Sequence, residues 1–156
     1  MEKLYLEDIQ PGQKFSTQSM LVTEADIKEF AAKFDPQPFH LDGTAARATF
    51  FGGPAASGWH TAAITMRLNV TSGPQIAGGV IGGSSEISWP TPTRPGDVLH
   101  VKSEVVEVLP SRSRPEMGVV MLRSETINQD NKIVQLSVMK LIVFRRELPV
   151  SVVADR

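Results

Sequence analysis

One apolar stretch decides the fold predicted for this 156-residue chain: Ala55-Ala56-Ser57-Gly58-Trp59-His60-Thr61-Ala62-Ala63-Ile64-Thr65-Met66-Arg67-Leu68-Asn69-Val70. With about 3.6 residues per helical turn, this stretch forms a wide apolar stripe that consists of Ala55, Trp59, Ala62, Ala63, Met66 and Val70. Ile64 and Leu68 add a second stripe, and Ser72-Gly73-Pro74 ends the helix. Because a helix that is apolar on more than one side is typically buried, we expect this helix at the centre of the fold.

The sequence after residue 79 is typical of β-strands. Apolar and β-branched residues predict strands over 80–89, 97–108, 118–128 and 132–145, and the polar loop Gln129-Asp130-Asn131 predicts a hairpin between the last two. Before the central helix we expect a strand over 13–22, a helix over 24–34, a short helical piece from Asp42 to Ala48 and a loop over 50–54. These elements predict an α+β fold, in which a curled antiparallel sheet wraps around the central helix as a single domain over 1–156.

The last predicted strand is apolar on both faces. Alternation places one set of apolar residues on one side (Ile133, Met139, Leu141, Val143) and another set on the other side (Val134, Leu136, Val138, Ile142, Phe144). The central helix can cover only one face of the sheet, so the other face or an edge needs a further partner. We expect a second copy of the chain to provide it, as a homodimer or a dimer-based oligomer.

The composition excludes several classes of chemistry. The chain has no cysteine, so disulfides, thiolate nucleophiles and cysteine-ligated metals are excluded. The 16 basic and 17 acidic residues give a net charge of −1 without a dense Lys/Arg run, which argues against nucleic acid as a partner. The three histidines are too widely spaced for a local metal motif, and no apolar run is long enough to span a bilayer. We expect a cytoplasmic protein without a bound metal, membrane anchor or cofactor.

A carboxylate and an imidazole lie five residues apart in an unusual setting, Phe34-Asp35-Pro36-Gln37-Pro38-Phe39-His40-Leu41-Asp42. Apolar surroundings disfavour carboxylate ionisation, and a neighbouring imidazole can share a proton with the carboxylate. Such a pair can hold and activate a water molecule. The structural alternative is that Asp35-Pro36 only ends a helix and that His40 only packs, since spacing alone does not show that the two side chains converge. We interpret Asp42 as a helix cap rather than a catalytic group.

A loop of small residues leads into the central helix, Gly52-Gly53-Pro54-Ala55-Ala56-Ser57-Gly58-Trp59. Free amides at a helix N-terminus can stabilise an oxygen that becomes negative during a reaction, and glycine allows a ligand to approach closely. The alternative is that these glycines serve only turns and tight packing. Of the remaining histidines, His60 can line a site or pack against the helix surface, and we interpret His100 as a surface residue.

These residues resemble the MaoC-like dehydratases, or (R)-specific enoyl-CoA hydratases, of the hot-dog fold. The family signature is approximately D-x-N-P-x-H-x-D, an F-G loop and then A-H-G. This chain has matching spacing in Asp35-Pro36-Gln37-Pro38-Phe39-His40-Leu41-Asp42, Phe51-Gly52-Gly53 and Ala56-Ser57-Gly58. Arg94-Pro95-Gly96-Asp97 is similar to the family's P-x-x-P-G-D entry to a later strand.

The resemblance implies a role for each matched residue. Asp35 and His40 would be the catalytic pair that activates water, and the Gly58 N–H would stabilise the thioester oxygen. Two departures concern the substrate-binding positions: Gln37 stands in place of Asn, and Ser57 replaces the His of A-H-G. Trp59 follows where a smaller residue is usual and is expected to reshape the acyl tunnel.

The leading hypothesis is therefore the reversible, (R)-specific hydration of a 2-enoyl-CoA or a related acyl thioester, whose carrier is coenzyme A or acyl carrier protein. This reaction needs a base, an acid and an oxyanion hole but no covalent nucleophile. Hydrolysis of an acyl-CoA thioester is a second hypothesis. The third is a non-catalytic protein that binds acyl thioesters, which the departures at Gln37 and Ser57 keep open.

Overall fold

The computed structural model describes residues 2–147, so Met1 and 148–156 of the predicted domain lie outside the described part. A 3-10 turn, Leu6–Asp8, precedes four helices and six strands. The helices are α1 (Glu24–Phe34), α2 (Pro38–Leu41), α3 (Gly43–Arg47) and α4 (Gly58–Ser72). The strands are β1 (Lys14–Ser16), β2 (Met20–Leu21), β3 (Ile81–Ser88), β4 (Val98–Pro110), β5 (Met117–Ile127) and β6 (Ile133–Phe144).

The strands form one antiparallel sheet in the order β1-β4-β5-β6-β3, and β2 also pairs with β4. The long strands β4, β5 and β6 form its centre, and β3 lies at an edge. The central helix α4 packs against this sheet through Ile64 and Leu68, which join Leu99, Val101 and Val134 in one apolar cluster. The expected α+β architecture, an antiparallel sheet around a central helix, is confirmed.

The burial of α4 differs from the prediction. The buried face contains Ile64 and Leu68 together with His60, Thr61 and Thr65. In contrast, three members of the wider apolar stripe are exposed: Ala63, Trp59 at 61% and Val70 at 48%. The sheet covers only one side of a helix, and the threonines can enter that side because each hydroxyl finds a hydrogen-bond partner there.

Three element boundaries also differ from the sequence prediction. The strand expected over 13–22 is divided into β1 and β2, because the Thr17 hydroxyl accepts the Val101 N–H in place of a backbone carbonyl. The central helix begins at Gly58 rather than Ala55, since Ser57 adopts an extended conformation and its Oγ accepts the Trp59 N–H. The proline loop contains an additional turn of helix, α2, with Pro38 at a position where a missing N–H is tolerated.

Candidate active site

The carboxylate of Asp35 and the imidazole of His40 converge. Asp35 is the C-terminal cap of α1, and the single turn of α2 carries His40 back towards it. The distance from His40 Nε2 to Asp35 Oδ2 is 3.1 Å. The prolines at 36 and 38 thus separate two short helical elements whose ends meet, which the spacing alone could not show.

The hydrogen bonds of His40 define its tautomer. Its Nδ1 lies 2.7 Å from the carbonyl oxygen of Ala55, and a carbonyl can only accept, so Nδ1 carries a hydrogen. The Nε2 atom therefore faces Asp35 Oδ2. Because His40 is 6% exposed, its ring is held in this orientation by the surrounding protein.

The environment of Asp35 favours the ionised carboxylate. Burial alone would raise the pKa of Asp35, but hydrogen bonds from Gln37 and Ser57 and the proximity of His40 outweigh it, so the pKa lies below its ordinary value. Gln37 Nε2 donates to Asp35 Oδ1 at 2.5 Å. The two residues that depart from the family motif, Gln37 and Ser57, therefore both interact with the same carboxylate.

Gly58 is the first residue of α4, and no hydrogen-bond acceptor for its N–H occurs within residues 2–147. A Cβ atom at this position would lie 2.7 Å from Cε2 of Trp89, so the indole can pack here only against glycine. The amide at the helix N-terminus remains available to a ligand oxygen.

A cavity of about 620 Å³ adjoins these groups. Gln37, His40 and Gly58 line it, together with Phe39, Phe51 and Trp89. Asp35 and Ser57 are not lining residues: Asp35 contacts His40 and keeps 17% of its side chain exposed, whereas Ser57 is fully buried. The lining is thus mainly apolar, with a few polar groups that include Gln37, the His40 imidazole and the Gly58 amide, an arrangement typical of small-molecule sites.

Sequence reasoning missed the role of Arg94. Its Nη1 donates to the carbonyl oxygens of Gly53 and Pro54, and its Nη2 donates to that of Phe51. Its own backbone N–H is accepted by Asp97 Oδ2 at 2.8 Å. Arg94 thereby holds the loop that leads into α4. The Arg94-Pro95-Gly96-Asp97 motif points to this region, but from the sequence it indicates only the entry to a strand.

Two tryptophans, Trp59 and Trp89, pack against each other near the cavity, and Trp89 is the one that lines it. Trp89 lines the cavity, whereas Trp59 packs edge-on against Trp89 on the exposed side, with 5.3 Å between ring centroids. The structure therefore does not place Trp59 against the cavity. The position beside the cavity that was expected for Trp59 is occupied by Trp89, which the sequence places only at the end of a predicted strand.

The other candidate residues lie away from the cavity. His60 is buried and stacks on Phe30 with a centroid distance of 4.7 Å, and burial lowers its pKa despite the nearby Asp26 carboxylate. His100 is half-buried on β4 and does not line the cavity. Asp42 accepts the Thr44 N–H at 2.8 Å and caps α3. These placements favour packing for His60 and capping for Asp42.

Two kinds of feature are absent from residues 2–147. No helix in that range has the length and apolar character needed to cross a bilayer. No cluster of three or more His, Asp or Glu side chains that could hold a metal ion occurs in the same range.

Comparisons with known proteins show which family this chain is similar to. Residues 8–128 match the model of the MaoC-like domain. The chain is 56% identical to a MaoC-like dehydratase of known structure from Rhodospirillum rubrum, covering 93% of this chain and 99% of that one with a TM-score of 0.91. It is 31% identical to 3-hydroxybutyryl-CoA dehydratase of Methylorubrum extorquens over 74% of this chain and 72% of that protein.

A further structural neighbour is the (R)-hydratase PhaJ1 from Pseudomonas aeruginosa. It is 26% identical to this chain, covers 94% of both chains and superimposes with a TM-score of 0.75.

Proposed function

Since the chain belongs to the MaoC-like domain family, we propose that it catalyses the reversible hydration of a 2-enoyl thioester to the (R)-3-hydroxyacyl thioester. The observation that carries this proposal is the contact between Asp35 and His40 beside a cavity into which the free Gly58 amide opens. Two relatives support the reaction class: one is a 3-hydroxybutyryl-CoA dehydratase and another is an (R)-hydratase.

The proposed chemistry assigns one proton transfer to each member of the pair. In the hydration direction, the Asp35 carboxylate takes a proton from water as the water oxygen bonds to the β-carbon. The α-carbon receives the proton held by His40 Nε2, and the Gly58 N–H donates to the thioester oxygen while negative charge develops there. The proton on Asp35 then passes to His40 across 3.1 Å, which restores the starting state.

The two alternative functions predict different products. A thioesterase would release a free thiol from a saturated acyl-CoA, and a non-catalytic binder would bind acyl thioesters without turnover. Both Gln37 and Ser57 hydrogen-bond to Asp35 and help keep it ionised. The two departures from the family motif are thus compatible with a working carboxylate, which favours hydration over simple binding.

The experiment is to follow the loss of enoyl absorbance with crotonyl-CoA and longer 2-enoyl-CoAs, and to identify the stereochemistry of the product. Asp35→Asn and His40→Ala are each expected to lower kcat by about 10²–10⁴. Matched controls are Asp130→Asn and His100→Ala, which change the same residue types outside the cavity and are expected to retain activity. Unchanged rates in Asp35→Asn and His40→Ala, or free thiol as the product, would contradict the assignment.

This proposal extends to the acyl carrier, the metabolic role and the cellular location of the enzyme. Coenzyme A and acyl carrier protein present the same thioester, and comparing both as carriers of one enoyl group will distinguish them. A role in fatty acid metabolism follows from the substrate class. The cytoplasmic location stays a prediction from the sequence.

We also propose that the chain works as a homodimer. The edge strand β3 is exposed at every residue except Ile87, and its outer edge has no partner strand among residues 2–147. Trp59, Ile81 and Trp89 leave large apolar side chains exposed, and Trp59 contacts Trp89. A second copy that meets this edge would cover both the unpaired backbone groups and the indole pair.

A further inference from the structure

A second cavity, of about 190 Å³, lies between α4 and the sheet. Its lining comes from α4 on one side and from β3, β5 and β6 on the other, including Thr65, Asn69, Gln135 and Ser137. The volume corresponds to about six water molecules. The space can therefore hold a small chemical group but not a long alkyl chain.

This cavity is part of a polar zone within the core. Leu99, Val101 and Val134 belong to one buried apolar cluster, while Val120 and Leu141 belong to a separate one. Three pairs of buried hydroxyls in the zone satisfy each other, at distances of 2.6–2.9 Å: Thr61 with Thr93, Thr65 with Thr126, and Ser103 with Ser124. Most of the buried hydroxyl groups in this zone thus have a hydrogen-bond partner within the protein.

Three side chains that line the cavity are not explained in this way. The indole N–H of Trp89 donates to Gln135 Oε1 at 2.9 Å. Because an indole N–H cannot accept a hydrogen bond, Trp89 provides no partner for the Gln135 Nε2 donor. Gln135 is 2% exposed, and its Nε2 makes no hydrogen bond within residues 2–147 but is not fully enclosed by protein. Neither the Ser137 hydroxyl nor the Asn69 amide makes a hydrogen bond within residues 2–147, and Asn69 Oδ1 is fully buried.

The second cavity adjoins the first. Trp89 lines the first cavity, and its hydrogen-bond partner Gln135 lines the second. Thr61 lines the first and Thr65 lines the second, one helical turn further along α4. An acyl chain that starts at the Gly58 amide could therefore extend past Trp89 into this space.

The lining restricts the chemistry of what can bind. The residues that line the second cavity include no Lys, Arg, His, Asp or Glu, so a carboxylate would be buried there without a counter-charge. A plain alkyl group would cover the Gln135 Nε2 and Asn69 Nδ2 donors without accepting from them, which disfavours its binding. A hydroxyl group can accept from Gln135 Nε2 or Asn69 Nδ2 and donate to Ser137 Oγ.

The geometry points to a specificity subsite: the second cavity binds a hydroxyl group at the far end of a short acyl chain. This inference rests on the proposed function, since it assumes an acyl thioester with its carbonyl at Gly58. The enzyme then prefers hydroxylated short acyl thioesters over unsubstituted acyl thioesters of the same length.

The test compares matched acyl-CoA pairs that differ only in a terminal hydroxyl group. Binding of saturated acyl-CoAs and their ω-hydroxy counterparts, from about four to eight carbons, is measured by calorimetry, and the corresponding 2-enoyl-CoAs are assayed for hydration. At the length that reaches the second cavity, the hydroxylated member should bind at least about tenfold more tightly.

Two substitutions test the residues without removing a partner from the rest of the protein. Ser137→Ala and Asn69→Leu each delete a group that makes no hydrogen bond in the described structure, and the double variant is expected to reduce the preference to less than about threefold. Ser84→Ala is the matched control: Ser84 lies on β3 beside Ser85 of the lining but does not itself line the cavity. This control should retain the preference.

The outcomes separate this inference from the proposed function. Equal binding of both members at every length, or a preference that persists in the double variant, would overturn the subsite. If no enoyl-CoA is hydrated, the proposed function fails, and the binding of the saturated pairs still decides whether the subsite exists.

Discussion

Asp35 shows how neighbouring side chains can preserve a functional group when a motif changes. A carboxylate that is partly buried in an apolar region would ordinarily resist ionisation. Here Gln37 lies two residues further along the chain and Ser57 caps the central helix, and both donate hydrogen bonds to Asp35. The longer Gln37 side chain reaches the carboxylate because α2 begins directly after it.

Replacing Gln37 is expected to change the pH dependence of the reaction. In Gln37→Ala the carboxylate loses one donor, so the pKa of Asp35 should rise towards its ordinary value. If Asp35 acts as the base, activity declines as the pH falls through this pKa, and the variant should therefore lose activity at a higher pH than the wild type. The measurements are a pH profile of kcat/KM and a carboxyl titration of Asp35 by NMR.

Gln10→Ala is a suitable control for this experiment, because the Gln10 side chain is exposed and makes no hydrogen bond in the described structure. It should leave both the pH profile and the Asp35 titration unchanged. An unchanged Asp35 titration in Gln37→Ala would show that the Gln37 amide does not control this carboxylate.

At the level of elements, the position of the Gly58 amide depends on a loop that lacks regular structure. Arg94 donates to three carbonyl groups of the segment Phe51–Pro54, and its own position is secured by Asp97. Asp97 is 5% exposed and also accepts a hydrogen bond from Gln129. The guanidinium group therefore connects the start of β4 to the entrance of α4.

Arg94→Ala is expected to loosen this loop and lower activity. Removing the guanidinium leaves three carbonyl groups without their donor, and hydrogen bonds from charged groups contribute about 1.5–3 kcal/mol each. We expect faster hydrogen exchange in residues 50–58 and a fall in kcat/KM of at least about tenfold. Arg94→Lys should restore only part of the activity, since lysine lacks the planar fork.

Arg67→Ala serves as the matched control, because Arg67 is exposed on α4 and its side chain makes no hydrogen bond or ion pair within residues 2–147. It should leave exchange and activity unchanged. If exchange in residues 50–58 were equally slow in Arg94→Ala, the loop would be held by other contacts.

At the scale of the whole molecule, the sheet ends in an edge that natural proteins usually protect. β3 has eight residues, contains no charged residue except Glu86 and, among residues 2–147, pairs only with β6. The exposed indoles of Trp59 and Trp89 lie beside each other, with Trp89 directly after the end of this strand. An isolated chain would therefore present both an open edge and apolar surface to water.

Light scattering after size-exclusion chromatography is expected to give twice the mass of one chain. The double variant Ser84→Lys/Glu86→Lys places positive charges on the exposed side of β3 without altering residues that line the second cavity, and it should shift the protein towards monomer. Glu107→Lys, an exposed glutamate on the internal strand β4, is the control. A monomeric wild type, or a double variant that stays dimeric, would contradict association through β3.

Much of the fold followed from local pattern. Apolar patterns predicted α1, α4 and the strands β3 to β6, and Asp42 caps a helix as its position indicated. These features are determined by residues within one or two turns of each other, so the sequence carries them directly. The Asp35 and His40 positions were identified in the same way.

The tertiary structure alone decided which distant groups meet. Arg94 contacts carbonyl groups about forty residues earlier in the chain, and Trp89 rather than Trp59 lines the first cavity. The second cavity combines Asn69 with Gln135 and Ser137, three side chains whose shared surroundings have no local sequence signal. Local periodicity shows which face of an element is apolar, but only the packing of α4 on the sheet determines which groups that face meets and which of their hydrogen bonds remain unmade.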